Sequence, residues 1–265
     1  MKKAFMAIIA AAAVMAFSAV SCGSKKEDSG AVNETTAVSE EDTTEAETTD
    51  PDNEEYRELK RREAEEGVDI TPKPLPEYDN IPEDWKEISY ERVSLRIPPD
   101  LEETEMWPSY VKTCYGKEDS FRTAYIVEKM ESLTSLYATG YSFPEITEET
   151  VAEAFKELGI EFDGSLLSMY KAVLSLTSEM RTDSNAESFE TAMLAKEFMI
   201  RDNSEVYYKQ INGCDVYYLK DDLSHDGFWS FSVEIFVSDN ENYQVQVIGD
   251  TIEEALMMCS TIDIK

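Results

Sequence analysis

Any chemistry in this chain has to come from few residues. His225 is the only histidine, and it stands in Asp221-Asp222-Leu223-Ser224-His225-Asp226-Gly227. An imidazole among acids could act as an Asp-oriented general base or as one ligand of a small metal site. The same residues equally make a solvated, self-capping turn between two strands. The turn is the simpler reading, because there is no second histidine for zinc and no Asp-x-Asp-x-Asp calcium loop. Three cysteines follow Cys22: Cys114, Cys214 and Cys259. An odd set cannot pair completely, and a catalytic thiol would need His225 beside it. Cys114 and Cys214 both fall in strand-like runs, so one bridge between them is open. Packing as small buried hydrophobes is the alternative.

Acid pairs such as Glu148/Glu149 and Glu253/Glu254 stand where helices should begin, and the helix dipole accounts for them there. With 56 Asp and Glu in the chain, adjacent acids carry almost no catalytic information. Tyr207, Tyr208, Tyr217, Tyr218 and Trp229 could line a ligand groove, or pair across strands. No Gly-x-Ser-x-Gly elbow, phosphate loop or dinucleotide fingerprint occurs. The expectation is therefore no catalytic residue, no metal ligand and no cofactor.

The 265 residues carry 24 Lys and Arg against 56 Asp and Glu, a formal charge of −32. That balance argues against a nucleic-acid partner, because phosphate contacts need clustered Lys and Arg. Electrostatic docking on anionic lipid is disfavoured for the same reason.

The chain opens with Lys2 and Lys3, an apolar run from Ala4 to Val20, and then Ala19-Val20-Ser21-Cys22-Gly23. Small residues ahead of a cleavage point suit a signal-peptidase pocket. Here they stand directly before a cysteine, and the pattern resembles the lipobox of bacterial lipoproteins, with Ala19 where that family prefers Leu. The resemblance covers residues 1 to about 23. It implies a signal peptide over 1–21, cleavage between Ser21 and Cys22, and lipidation of Cys22. Two or three acyl chains hold a protein stably where one does not. The competing readings are an uncleaved, Ala-rich membrane span at the short end of the usual range and plain secretion without lipid.

Residues 22–80 read as a disordered acidic tether. From Gly23 to about Asp52 the text is Glu, Thr, Asp, Ser and Ala without apolar periodicity, too polar to offset chain entropy. A short helix near 54–66 is supported by the i,i+4 pairs Glu58–Arg62, Arg61–Glu65 and Arg62–Glu66. With almost no apolar face, that helix is not expected to dock. Thr71-Pro72-Lys73-Pro74-Leu75-Pro76 favours extended polyproline geometry.

Residues 81–265 read as one α+β domain, an antiparallel sheet covered by helices. Val93, Leu95 and Ile97 alternate with Ser94 and Arg96 as in a half-buried strand. Strands are also expected at 110–115 and 121–130. Thr147 caps a helix that Gly159 closes, and a second helix is expected over 165–180 and a third over 188–199. Asn212-Gly213 sets a two-residue hairpin turn that pairs Ile211 with Cys214, Lys209 with Val216 and Tyr207 with Tyr218. Two alternating strands at 229–237 and 243–248 follow, and Thr251-Ile252-Glu253-Glu254 opens a last helix.

The early strand Leu95-Arg96-Ile97-Pro98, the Ile211-Asn212-Gly213 hairpin and the closing strand-plus-helix resemble the PsbP-like fold group over most of 88–262. The helical insert between about 144 and 200 departs from its compact members. That resemblance implies binding or assembly assistance more often than catalysis. The expectation as a whole is a lipid-anchored, extracytoplasmic, non-catalytic binding domain on a bacterial membrane, at the cell surface or in the periplasm. Its partners would be membrane lipid through Cys22 and a protein or envelope component. A hydrolase using acidic residues and a small solute-binding lipoprotein are the alternatives.

Overall fold

The computed structural model describes residues 54–105, 111–118, 120–129, 143, 146–200, 203–221, 227–238 and 241–265. The expected signal segment, Ser21, Cys22, the expected tether up to residue 53 and His225 lie outside the described residues.

Among the described residues, five helices and two sheets build an α+β fold. The helices are α1 (Glu54–Gly67), α2 (Glu148–Leu158), α3 (Leu166–Ser175), α4 (Ala186–Ile200) and α5 (Ile252–Ser260). The strands are β1 (Lys73–Pro74), β2 (Lys86–Tyr90), β3 (Val93–Ile97), β4 (Glu102–Glu103), β5 (Val111–Gly116) and β6 (Thr123–Lys129). The remaining strands are β7 (Asn203–Ile211), β8 (Cys214–Asp221), β9 (Trp229–Ser238), β10 (Glu241–Gly249) and β11 (Asp263–Ile264). The large sheet runs β1-β7-β8-β9-β10-β6-β5-β4, and a small one runs β11-β3-β2. Every pair is antiparallel except β1 with β7.

Strand alternation decides where the cores sit. On β9, Phe231, Val233 and Ile235 face one side and join Val216 and Tyr218 of β8 and Val245 and Val247 of β10. Strand β3, the C-terminal Ile262 and Ile264, and α5 through Ala255, Met258 and Cys259 cover that side. On the opposite face Val206, Tyr217, Leu219 and Phe236 pack against α1–α4, through residues such as Phe155, Val173 and Phe189. The fold is thus a helical layer, the large sheet, and a thinner layer of small sheet plus α5.

Local signals act as the residue types demand. Asn212 and Gly213 hold φ of 50° and 86°, and the turn gives the expected pairs Ile211↔Cys214, Lys209↔Val216 and Tyr207↔Tyr218. Thr147 accepts from the Thr150 N–H, and Gly159 closes α2 at φ 72°. Thr251 accepts from the Glu254 N–H at 3.1 Å.

Three expectations change. The packed body starts at Glu54 and not at 81, because α1 does dock: Ala64 and Val68 lie in the helical core. The Pro-spaced segment is extended but paired, with Lys73 and Pro74 beside Tyr207 and Tyr208 and Leu75 in the second core. Proline fits there because β1 is an edge strand. The single helix expected over 165–180 breaks at Leu176, which is extended, and resumes as a 3₁₀ turn at Ser178–Met180. Asp69 explains the break by accepting from the Ser178 N–H at 2.7 Å and its hydroxyl at 2.8 Å.

Tyr218 is fully buried, and its hydroxyl has no hydrogen-bond partner among the described residues. An orphaned buried hydroxyl costs about 1–3 kcal/mol. Tyr218→Phe should therefore leave stability unchanged or raise it by about 1 kcal/mol in urea unfolding. A loss larger than about 1 kcal/mol would mean that the hydroxyl is bonded after all.

Candidate functional site

The residue types singled out from sequence are dispersed by the fold. Cys114 shares the small apolar cluster of Tyr125 and Val127 on the helical-layer face of the large sheet. Cys214 and Cys259 sit in the core on the other face. All three are buried thiols without a disulfide, and the sheet itself separates Cys114 from Cys214. Burial pushes the thiols of Cys114 and Cys259 up, away from the reactive thiolate.

The five aromatics do not line one groove. Tyr208 and Tyr217 face the helices, their rings 5.2 Å apart, and Tyr170 stacks on Tyr217 at 5.7 Å. Tyr207, Tyr218 and Trp229 belong to the opposite face. Cross-strand and interlayer packing accounts for all five.

The acids singled out are engaged structurally. Glu148, Glu149 and Glu253 stand in first helical turns. Glu254 accepts from the Asp250 N–H at 2.9 Å and from Arg122 Nη2 at 2.5 Å. Arg122, nearly buried, also holds Asp100 at 2.7 Å and lies 3.4 Å from Asp250. One guanidinium thereby ties the β3–β4 turn to the start of α5. On the other edge Glu205 receives Tyr207 at 2.9 Å, Lys73 at 3.2 Å and Lys220 at 3.3 Å.

The site that sequence reading missed is a polar ladder on the helical-layer face of β8, β9 and β10. Ser230 donates to Asp221. Gln246 Nε2 lies 3.0 Å from Asp221 Oδ2 and 2.5 Å from Ser230 Oγ. Ser232 donates to Gln246 Oε1 at 3.1 Å. Gln244 Nε2 reaches Ser232 Oγ at 3.0 Å and Glu234 Oε1 at 2.8 Å. The register makes this possible, since Asp221 faces Ser230, Ser232 faces Gln246, and Glu234 faces Gln244.

The ladder lies between the helical core and the Cys114–Tyr125–Val127 cluster. Ser230 is 1% exposed and Glu234 3%, while Asp221, Ser232 and Gln244 are half-buried. Neutral amides and hydroxyls, with a carboxylate at each end, can bind polar groups or hold strands in register. They do not form a nucleophile–base pair. Among the described residues no three His, Cys, Asp or Glu lie together so as to hold a metal ion, and no helix is long and apolar enough to cross a membrane.

A second unheralded feature is Lys196 of α4, 1% exposed. Its ammonium donates to Val68 O at 2.7 Å and Leu176 O at 2.9 Å. Those carbonyls terminate α1 and α3, where the helix dipoles favour a cation. Burial pulls the lysine down to about 8, against the opposing pull of Asp69. In comparison with known proteins, no family model and no curated protein matches the chain.

Gln246 is the centre of the ladder, so Gln246→Leu leaves Asp221, Ser230 and Ser232 short of a partner. It should cost about 2 kcal/mol in urea unfolding, and an unchanged midpoint would show that the ladder contributes nothing. For Lys196 the sign follows from its lowered value. Between about 8 and 10.5 the unfolded chain binds the extra proton, so this group's contribution to stability rises with pH across that window. From pH about 7 to 9.5 the wild type should gain on Lys196→Met by on the order of 1 kcal/mol, and parallel pH profiles would contradict the assignment.

Proposed function

We propose that this chain is a lipid-anchored extracytoplasmic domain that binds a partner and performs no covalent chemistry. The anchor rests on Ala19-Val20-Ser21-Cys22 after the apolar run. The absence of covalent chemistry in this reading is supported by one observation: among the described residues, the carboxylates whose titration is shifted are held down, not up. Asp69 is lowered by the Ser178 amide and hydroxyl, Asp100 by Lys117 and Arg122, and Asp163 by Ser168 and Ser165. Burial pushes Glu205 up, but Tyr207, Lys73 and Lys220 outweigh it. A hydrolase built on acids needs one carboxyl raised toward neutrality beside an ionised one. Carboxylates held ionised by amides, hydroxyls and cations are scaffolding.

The likeness to the PsbP-like group belongs to the same reading. The tether on this view is residues 23–53, shorter than the sequence alone suggested, since the packed body begins at Glu54. Such a chain has an r.m.s. reach of about 30 Å. That is enough to lift the domain clear of lipid headgroups and leave it near the membrane.

Fractionation of cells expressing Cys22→Ala tests the anchor. The variant should be recovered outside the membrane fraction or as an uncleaved precursor. If it is cleaved and stays with the membrane as the wild type does, the lipid assignment fails. Cross-linking on intact cells followed by mass spectrometry tests the partner, which should appear as a recurrent neighbour. Recovering none would remove the interaction reading and leave the anchor standing.

A further inference from the structure

Helix α1 is attached unlike the rest of the helical layer. Helix α2 buries Val151, Ala154 and Phe155, and α4 buries Phe189, Ala192, Met193, Leu194 and Ala195. In α1 the buried residues are Lys60 and Ala64, and Val68 follows just beyond its end. Charge fills the remainder of the seam with α4. Lys60 contacts Glu63 and lies 3.7 Å from Glu197. Arg61 Nε lies 2.9 Å from Glu190 Oε1. Glu190 and Glu197 are seven residues apart, two turns, and so share one face of α4.

At the exit Lys196 grips Val68 O, and Asp69 grips the Ser178 turn. The next contact, β1, is only two residues long and sits on the sheet edge. No described element precedes α1 in the chain. Its own Glu–Arg pairs at i,i+4 support the helix without α4.

We propose that α1, with its Val68-Asp69 exit, is a releasable strap: it is held to α4 by charge more than by apolar packing. It detaches as a unit while the sheet and the other helices stay folded. Release uncovers the Glu190–Glu197 face of α4 and frees the Lys196 ammonium from Val68 O at the end of α1, leaving its bond to Leu176 O. The strap stands on these contacts alone. That a pull on the tether would reach it first rests on the anchor reading above.

Hydrogen–deuterium exchange on the purified full chain tests it, with no membrane involved, so the result is independent of the Cys22 experiment. Amides of 58–68 should exchange at least about tenfold faster than those of β9 and β10. They should speed up several-fold between about 0.05 and 0.5 M NaCl, since that salt screens exposed pairs. Arg61→Glu, which turns the Glu190 contact repulsive on a partly exposed surface, should raise the α1 rate by a further factor of about ten. It should leave β9 and β10 unchanged. If α1 and the central strands exchange together in wild type and variant, α1 is part of one cooperative unit and the strap is wrong. If α1 is faster but indifferent to salt and to Arg61→Glu, charge does not hold it and the proposal falls equally.

Discussion

Strand β9 sends Phe231, Val233 and Ile235 to one side of the large sheet and Phe236 to the other, so water has to be kept from both faces. That requirement orders the molecule. One face receives the helical layer, α2–α4 from between β6 and β7 in the chain and α1 from ahead of β1. The other receives a small sheet and a single helix assembled from the two ends of the body. A sheet covered on only one side could have left the even positions of β9 and β10 in solvent. Here Ser230, Glu234, Phe236 and Gln246 are buried and Ser232 and Gln244 half-buried, and the polar ones among them bond to each other. Burying a polar side chain without a partner costs more than a typical hydrogen bond returns, so the ladder from Asp221 to Glu234 has to be complete.

Where apolar packing thins out, charge takes over. Arg122 joins two turns to α5 through three carboxylates, and Lys196 joins two helix ends through their carbonyls. Both are cations in a chain with a formal charge of −32. A lone buried cation is costly to enclose. Acids and helix termini around it offset that cost, so each of these residues works as a cross-brace between segments distant in sequence.

Much of the sheet was legible because its signals are local. The Asn212-Gly213 turn set the β7–β8 register, and the period of two in 229–237 and 243–248 placed the inward residues. Helix α2 was legible from Thr147 and Gly159. What escaped reading depends on partners far away in the chain. The extended Lys73–Pro74 becomes a strand only because β7 lies beside it. Helix α1 looked unable to dock because its stripe is charged, and the acids that receive it sit on α4. Strands β4 and β11 are too short to carry a period. The ladder was visible only as polar alternation, since alternation tells which residues share a face and not what covers that face. Glu91, at φ 47°, would not be chosen for a turn. The Tyr243 hydroxyl 2.8 Å from its carboxylate supplies the reason.

The two borders of the large sheet have a consequence for how crowded molecules meet. One border is Lys73–Pro74 and the other Glu102–Glu103. The first lacks an amide hydrogen at Pro74, and the second presents paired negative charge, all on strands two residues long. An incoming extended peptide, including one from an identical molecule, finds little template to zip against. Copies of this protein should therefore not extend the large sheet through these two strands.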